Sequence, residues 1–258
     1  MAVSLSVMQI QDWKLPPGVH ALCTTRLGGV SLPPYASLNL GDHVQDDPQH
    51  VSQNRNLLKR QLDGARPVFL KQVHGVDVLN LQPATPDGAI ADACLTQEIN
   101  LACTIMVADC LPILFADSLG TTVAAAHAGW RGLTQGVIEN TVKTLCGHSG
   151  ANSGDLLVWL GPCIGPSAFE VGAEVRQAFL QADETAESCL KAHPHNPNKY
   201  LADLPALARK RLRSLGVQSI AGNDSSDAWC TVQQASRFFS YRRDVVTGRF
   251  AACIWRSS

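Results

Sequence analysis

Short apolar runs alternate along this chain with longer amphipathic stretches, and turn-forming residues separate them. Residues 19–24, 68–70, 76–81, 101–107, 113–116, 121–126, 156–160 and 217–220 are strand-like, being brief, apolar or β-branched, and bounded by turn chemistry. Residues 101–107 (Leu-Ala-Cys-Thr-Ile-Met-Val) are continuously apolar, as befits a strand covered on both faces. Helical spacing appears over residues 48–62, where Val51, Leu57, Leu58 and Leu62 share a face and Asp47 precedes Pro48 as a cap. It recurs over 133–145, 168–180 and 204–215; the Arg209, Lys210, Arg211 and Arg213 side of the last reads as a solvated face. The chain ends in a predicted hairpin, with strands at 238–243 and 249–255 and a turn at 244–248. Strands outnumber helices without a regular βαβ alternation. The pattern therefore predicts an α+β fold, one domain spanning residues 1–258, with mixed sheets and packed helices.

One stretch organises the rest. Residues 113–116 and 121–126 flank Asp117-Ser-Leu-Gly120, a turn sequence, so they predict a β-hairpin. A hairpin folds back on itself, which brings Cys110, just before its first strand, close to His127, just after its second. Pro112 keeps Leu111 extended. Gly129 and Gly132, around Trp130-Arg131, permit a tight turn and close backbone approach. A helix beginning near Gly132 would aim its N-terminal N–H groups at the hairpin end, favourable for an anion. Upstream, residues 26–47 form a long Gly- and Pro-rich connection carrying Asp42-His43, and loops of this length tend to be functional.

Composition narrows the classes. A formal net charge of -1 leaves no general basic footprint for nucleic acid. No run approaches the roughly 18 apolar residues of a membrane span. Residues 1–12 lack a basic segment followed by an apolar core, so no signal peptide is expected. Nine cysteines scattered without a CxxC pair read as reduced thiols in a cytoplasmic protein. The pair His193 and His195 lies in a polar, prolyl stretch at 182–199, read as a mobile loop rather than a metal site.

Several motifs then occur in order: Arg26-x-Gly-Gly-Val-Ser, Ser37-Leu-Asn-Leu-Gly, Gln72-Val-His-Gly, Ala108-Asp-Cys-Leu-Pro, His127-Ala-Gly-Trp-Arg-Gly, Gly161-Pro-x-Ile-Gly and Ser240-Tyr-Arg-Arg-Asp…Thr-Gly-Arg. Together they resemble the YfiH-like family, also called the multicopper polyphenol oxidase or laccase-domain family, whose members carry the name purine nucleoside phosphorylase. The resemblance runs from about Arg26 to Trp255. It implies a metal, usually zinc, held by His74, Cys110 and His127, which would also be the catalytic residues. Two imidazoles and a thiolate suit Zn²⁺ and leave a fourth position open; copper also binds such N/S sites. Strict laccase chemistry needs a histidine-rich copper cluster, whereas this chain has eight histidines, and its one His-x-His pair, His193 and His195, is split by a proline in that polar stretch.

The resemblance further implies phosphorolysis of adenosine, inosine or methylthioadenosine to free base and ribose 1-phosphate, with adenosine deamination as a second activity. Arg26, Arg131, Arg242 and Arg243 are the candidate phosphate ligands, since guanidinium groups recognise phosphate bidentately. Asn39 and Gln72 are candidate hydrogen-bonding partners of the base or ribose. Asp109 adjoins Cys110 and is the nearest acid for a proton shuttle. A competing reading uses no metal: Cys110 as nucleophile with His127 as base, an amidohydrolase acting, for example, on a cell-wall precursor. The expected partners are small molecules, a purine nucleoside and phosphate, with no nucleic acid, membrane or protein partner in evidence.

Overall fold

The computed structural model describes residues 5–257, apart from 9, 11 and 12. The segment read for a leader lies largely outside the described residues. Two mixed sheets stack face to face, and helices cover their outer sides.

The first sheet has five strands: β1 (Val7–Met8), β2 (Val19–Thr24), β3 (Arg66–Phe69), β6 (Leu101–Val107) and β14 (Phe250–Arg256), ordered β1-β2-β14-β6-β3. The second has six: β4 (Val78–Asn80), β5 (Ala93–Thr96), β7 (Leu111–Asp117), β8 (Val123–Ala128), β9 (Leu156–Leu160) and β13 (Ser219–Gly222), ordered β13-β9-β7-β8-β5-β4. A small third sheet joins β10 (Glu170–Gly172), β11 (Leu190–Ala192) and β12 (Lys199–Ala202). Parallel pairs (β3 with β6, β4 with β5, β13 with β9) sit among antiparallel ones, which makes both large sheets mixed.

The side-chain period of two explains the apolar runs. On β6, Leu101, Cys103, Ile105 and Val107 face the space between the sheets, where they meet Leu114 and Ala116 of β7 and Val123 and Ala125 of β8. The alternate residues Ala102 and Met106 face α1 (Pro48–Gln61), packing against Leu58 and Leu62. On β7, Leu111, Ile113 and Phe115 face the other way, toward α3 (Val137–Ser149) and α5 (Leu204–Ser214). Each central strand is therefore buried on both faces, and every residue of β6, β7 and β8 is buried.

The predicted α+β class and most elements hold; β2, β6 and β9 have the expected boundaries. Helix α1 begins at Pro48, with the Asp47 side chain accepting from the Gln49 N–H. Several features differ. The helix expected from about Gly132 is two: α2 (Trp130–Gln135) and α3, broken at Gly136, whose φ of 102° a helix cannot continue. The helix expected from residue 168 begins later, as α4 (Ala173–Ala182), because residues 170–172 pair as β10. The predicted C-terminal hairpin lacks its first strand: residues 241–244 form the short helix α6 (Tyr241–Asp244), capped by the Ser240 side chain, and β14 pairs with β2 and β6 instead. Finally, Arg209 is not merely solvated, since its guanidinium donates to the carbonyls of Ile220, Gly222 and Asn223 and pins α5 to the end of β13.

Candidate metal centre and cavity

Strand parity delivers the site. In the β7–β8 hairpin, Leu111 pairs with Ala128 and Pro112 with His127, so His127 lies within β8 rather than after it. His127 shares its face with Val123 and Ala125, which point between the sheets. Cys110 packs on the same inter-sheet core from the mouth of β7. On the neighbouring β5, Cys94 faces this space, and Asp92, two residues earlier, falls on the same side. Three chemically active side chains thus meet at one end of the sandwich.

His74 enters from the β3–β4 connection. Its backbone is left-handed, with φ of 61°, an uncommon state for a histidine. The physical support is Asp92. Its fully buried carboxylate accepts the backbone N–H groups of Val73 (3.1 Å), His74 (2.9 Å) and Gly75 (2.7 Å), an anion nest formed by the turn. The same carboxylate accepts Nδ1–H of His127 at 2.8 Å, and its backbone carbonyl accepts the His127 N–H at 2.7 Å. One residue therefore sets both histidines. Burial alone would raise the Asp92 pKa, but these donors outweigh it and hold the carboxyl below its ordinary range.

The ligand atoms of His74, Cys110 and His127 lie within 4.8 Å of one another, and Cys110 Sγ is 3.8 Å from His74 Nε2. Burial would push the Cys110 thiol up; His127 and then His74 overcome it and lower it to about 6. Burial likewise opposes charge on His127, yet Cys110 and Asp92 raise its pKa to about 9. Without a metal, the pair is thus a thiolate beside an imidazolium near neutrality. Gly129, opposite Cys110 across the hairpin, leaves the room for this cluster: a Cβ there would lie 2.9 Å from His74 Cδ2 and 3.0 Å from Cys110 Sγ.

These residues fit a metal. The donors are mutually close, the thiol is biased to the thiolate that binds metals, and Asp92 on Nδ1 commits the His127 tautomer that leaves Nε2 as ligand. Among the described residues no fourth His, Cys or carboxylate joins them. Asp109, the nearest acid in sequence, is occupied: its carboxylate accepts the Thr231 hydroxyl (2.6 Å) and the Arg242 N–H (2.6 Å).

The cluster opens into a cavity of about 480 Å³. Trp130, Phe169, Tyr241 and Ile164 supply apolar walls, and Gln72, Arg131, Arg242, Arg249 and His43 supply polar ones. Of the predicted substrate residues, Arg131 and Arg242 line it. Arg131 stacks on Trp130, and Arg242 lies over Phe169 while donating to the carbonyls of Ala168 and Glu170. Gln72 also lines it, but its side-chain amide is paired in both directions with the Met106 backbone. Arg26, Asn39 and Arg243 are not among the lining residues. Arg26 donates to the carbonyls of Ala36 and Ala235 and stacks on Phe239. Arg243 is bound to Asp244 and to the carbonyls of Thr231, Val232 and Phe238. Asn39 is fully buried, and its Oδ1 accepts the backbone N–H groups of Gly41 and Arg249.

Sequence reasoning passed over Asp92, Arg249 and His43 as site residues. Arg249 closes the last quoted motif, and His43 sits in the long loop already read as functional. Asp92 carried no local signal beyond an acid between two alanines.

The chain is similar to known proteins over almost its whole length. A family model described as multi-copper polyphenol oxidoreductase laccase matches residues 20–257. The chain belongs to this YfiH-like, laccase-domain family. Within the family, it is 48% identical over 252 residues to the Escherichia coli (strain K12) protein named purine nucleoside phosphorylase YfiH, covering 97% of this chain and 99% of that one. It is 50% identical over 244 residues to purine nucleoside phosphorylase PA4543 of Pseudomonas aeruginosa, covering 95% and 96%. The crystal structure of Neisseria meningitidis protein NMB0706 superposes with a TM-score of 0.90 at 42% identity, covering 99% of this chain and all of that one. That of Bacillus licheniformis YfiH gives 0.89 at 29% identity, covering 98% and 97%. For this family member, the donor set is mononuclear in scale. His193 and His195 contact each other, His193 Nε2 lies 3.5 Å from a Glu170 carboxylate oxygen on β10, and the two histidines join no His/Cys/Asp/Glu metal-type cluster among the described residues.

All nine cysteines are free, and no helix among the described residues is long and apolar enough to cross a membrane.

Proposed function

We propose that this protein is a purine nucleoside phosphorylase, acting on adenosine, inosine or methylthioadenosine and phosphate at a zinc site of His74, Cys110 and His127. The observation that carries the reading is one cavity in which three metal-type donors, flat aromatic walls and several guanidinium groups converge. Its volume suits a ligand of nucleoside size, ligand cavities running from roughly 300 to 1,000 Å³. The relatives named purine nucleoside phosphorylase, similar over nearly their whole length, support the same conclusion.

Phosphorolysis breaks the N-glycosidic bond, joins a phosphate oxygen to C1′ of the ribose and leaves the base carrying a proton. Trp130, Phe169 and Tyr241 offer faces for the purine, where stacking and exclusion of water hold it. The cavity's arginines oppose the charge of phosphate. A zinc ion at the His/Cys/His set supplies a Lewis acid. Asp92 holds both histidines in register through the reaction. Deamination of adenosine belongs to the same proposal, with Asp109 lining the cavity as the acid nearest in sequence, its two carboxylate oxygens oriented by the Thr231 hydroxyl and the Arg242 N–H. Copper in place of zinc is compatible with the donor set.

A second reading has an observation of its own. Asp92, His127 and Cys110 form an acid–base–thiol series, with the imidazole oriented by a buried carboxylate and the thiol biased to thiolate. That is the logic of a cysteine amidohydrolase. Metal content and product analysis separate the two. The phosphorylase reading predicts about one zinc per chain and base release that requires phosphate. Ammonia release without phosphate would mark deamination. A metal-free protein that hydrolyses amides and is silenced by thiol alkylation would overturn the phosphorylase reading.

A further inference from the structure

We infer that Arg249 is the residue that anchors a phosphate oxyanion in the cavity. This deepens the phosphorolytic reading and rests on it for the identity of the anion. Three observations converge on this side chain.

First, it is a largely buried cation with no salt-bridge partner among the described residues, and the anionic groups that act on it, Cys110 and Asp109, do so from beyond contact. The Arg249 guanidinium donates through Nη1 to the carbonyls of Thr247 and Gly248 and makes no salt bridge with any described residue. Burial is the chief influence lowering its pKa. A desolvated guanidinium is ordinarily paired, because removing it from water without a partner is costly. The other arginines in the family motifs are differently placed. Arg243 is paired with Asp244, Arg26 is not among the residues that line the cavity, and Arg131 and Arg242 are exposed.

Second, the surrounding chain is built to fix its position. Asn39 accepts the Arg249 N–H at 2.9 Å, and the Leu40 N–H donates to the Arg249 carbonyl at 3.0 Å. At Gly41, a Cβ would meet Arg249 Cγ at 2.8 Å, so glycine is what allows the side chain to lie against this loop. The Ser37-Leu-Asn-Leu-Gly motif thus acts on the site through Arg249, and Asn39 is a positioning residue rather than a substrate contact.

Third, Arg249 lines the same cavity as His74, Cys110 and His127. A planar fork of donors there matches a tetrahedral oxyanion, which an ammonium would bind only as a point charge.

The test uses the full-length, metal-loaded protein, with inorganic phosphate as probe and the variants Arg249→Met and Arg249→Lys. Phosphate binding is followed by calorimetry and by its thermal protection of the protein; circular dichroism and metal content check that the variants fold. The inference predicts that Arg249→Met weakens phosphate binding by about ten- to a hundred-fold, Arg249→Lys by less, both with unchanged metal content. In phosphorolysis, KM for phosphate should rise while KM for the nucleoside stays put. Phosphate binding that Arg249→Met leaves intact overturns the inference, even if the protein phosphorolyses nucleosides. Wild-type protein that binds no phosphate overturns it as well. Phosphate binding that Arg249→Met abolishes, in a protein that releases no base, upholds the anion site and removes only the phosphorylase reading.

Discussion

Asp92 Oδ1 lies 2.8 Å from His127 Nδ1, and both residues are buried between the sheets. Because the same carboxylate also binds the backbone of residues 73–75, Asp92 couples the strand that carries His127 to the turn that carries His74. Asp92→Asn keeps the shape but loses the charge and at least one acceptor. It should lower metal affinity by about 10- to 100-fold, the usual effect of removing the partner of a ligating histidine. Stability should fall by about 3 kcal/mol, as when one member of a buried pair is removed. Metal titration and chemical denaturation measure the two effects.

The same group predicts a pH dependence. Its pKa is depressed in the folded protein, so its contribution to stability is complete above its ordinary value of about 4 and is lost as the pH falls through the lower folded value. Wild-type protein should lose stability more steeply on acidification than Asp92→Asn. Parallel acid-unfolding curves for the two would contradict this.

In metal-free protein the Cys110 thiol, at about 6, should be alkylated rapidly at neutral pH. Below pH 6 it protonates and the rate falls; above pH 6 the thiolate is present, and up to about pH 9 it faces a protonated His127. A rate profile with its midpoint near the ordinary thiol value of about 8.5 would refute the ion pair. Added zinc should protect Cys110.

His74→Ala separates the two chemical readings. If a metal acts, the variant should lose bound metal and phosphorolysis together. If Cys110 and His127 act alone, alkylation of Cys110 and amide hydrolysis should survive with a milder defect. Metal analysis beside both activity assays decides between them.

Gly129→Ala places a methyl group against His74 and Cys110. Overpacking of this kind costs about 1–3 kcal/mol, and here it falls on the donor cluster. Metal binding should therefore suffer more than thermal stability, a difference that metal titration beside a melting curve will show.

By itself, the sequence determined the elements that local rules govern. The apolar runs of β6 and β9, the Asp47-Pro48 helix start and the 117–120 turn each carry their own signal, because alternation, capping and turn chemistry act over a few residues. The turn fixes the hairpin register, so the closeness of Cys110 and His127 was legible too. His74 could be assigned only through family motifs, for no short-range rule ties a β3–β4 connection to a hairpin some 35 residues away.

Tertiary structure alone decided the rest. Residues 238–243 have an apolar start, but the 241–244 segment is helical because the Ser240 side chain caps it and Asp109, far away in sequence, accepts the Arg242 N–H. Asn39, Gln72 and Arg243 resembled ligand residues, yet their polar groups are consumed by backbone partners that only the folded chain supplies. Asp92 and Arg249 gain their meaning from burial: a carboxylate or a guanidinium becomes decisive once water is removed and its remaining partners can be counted. Desolvation is a property of the packed molecule, and no local pattern in the chain encodes it.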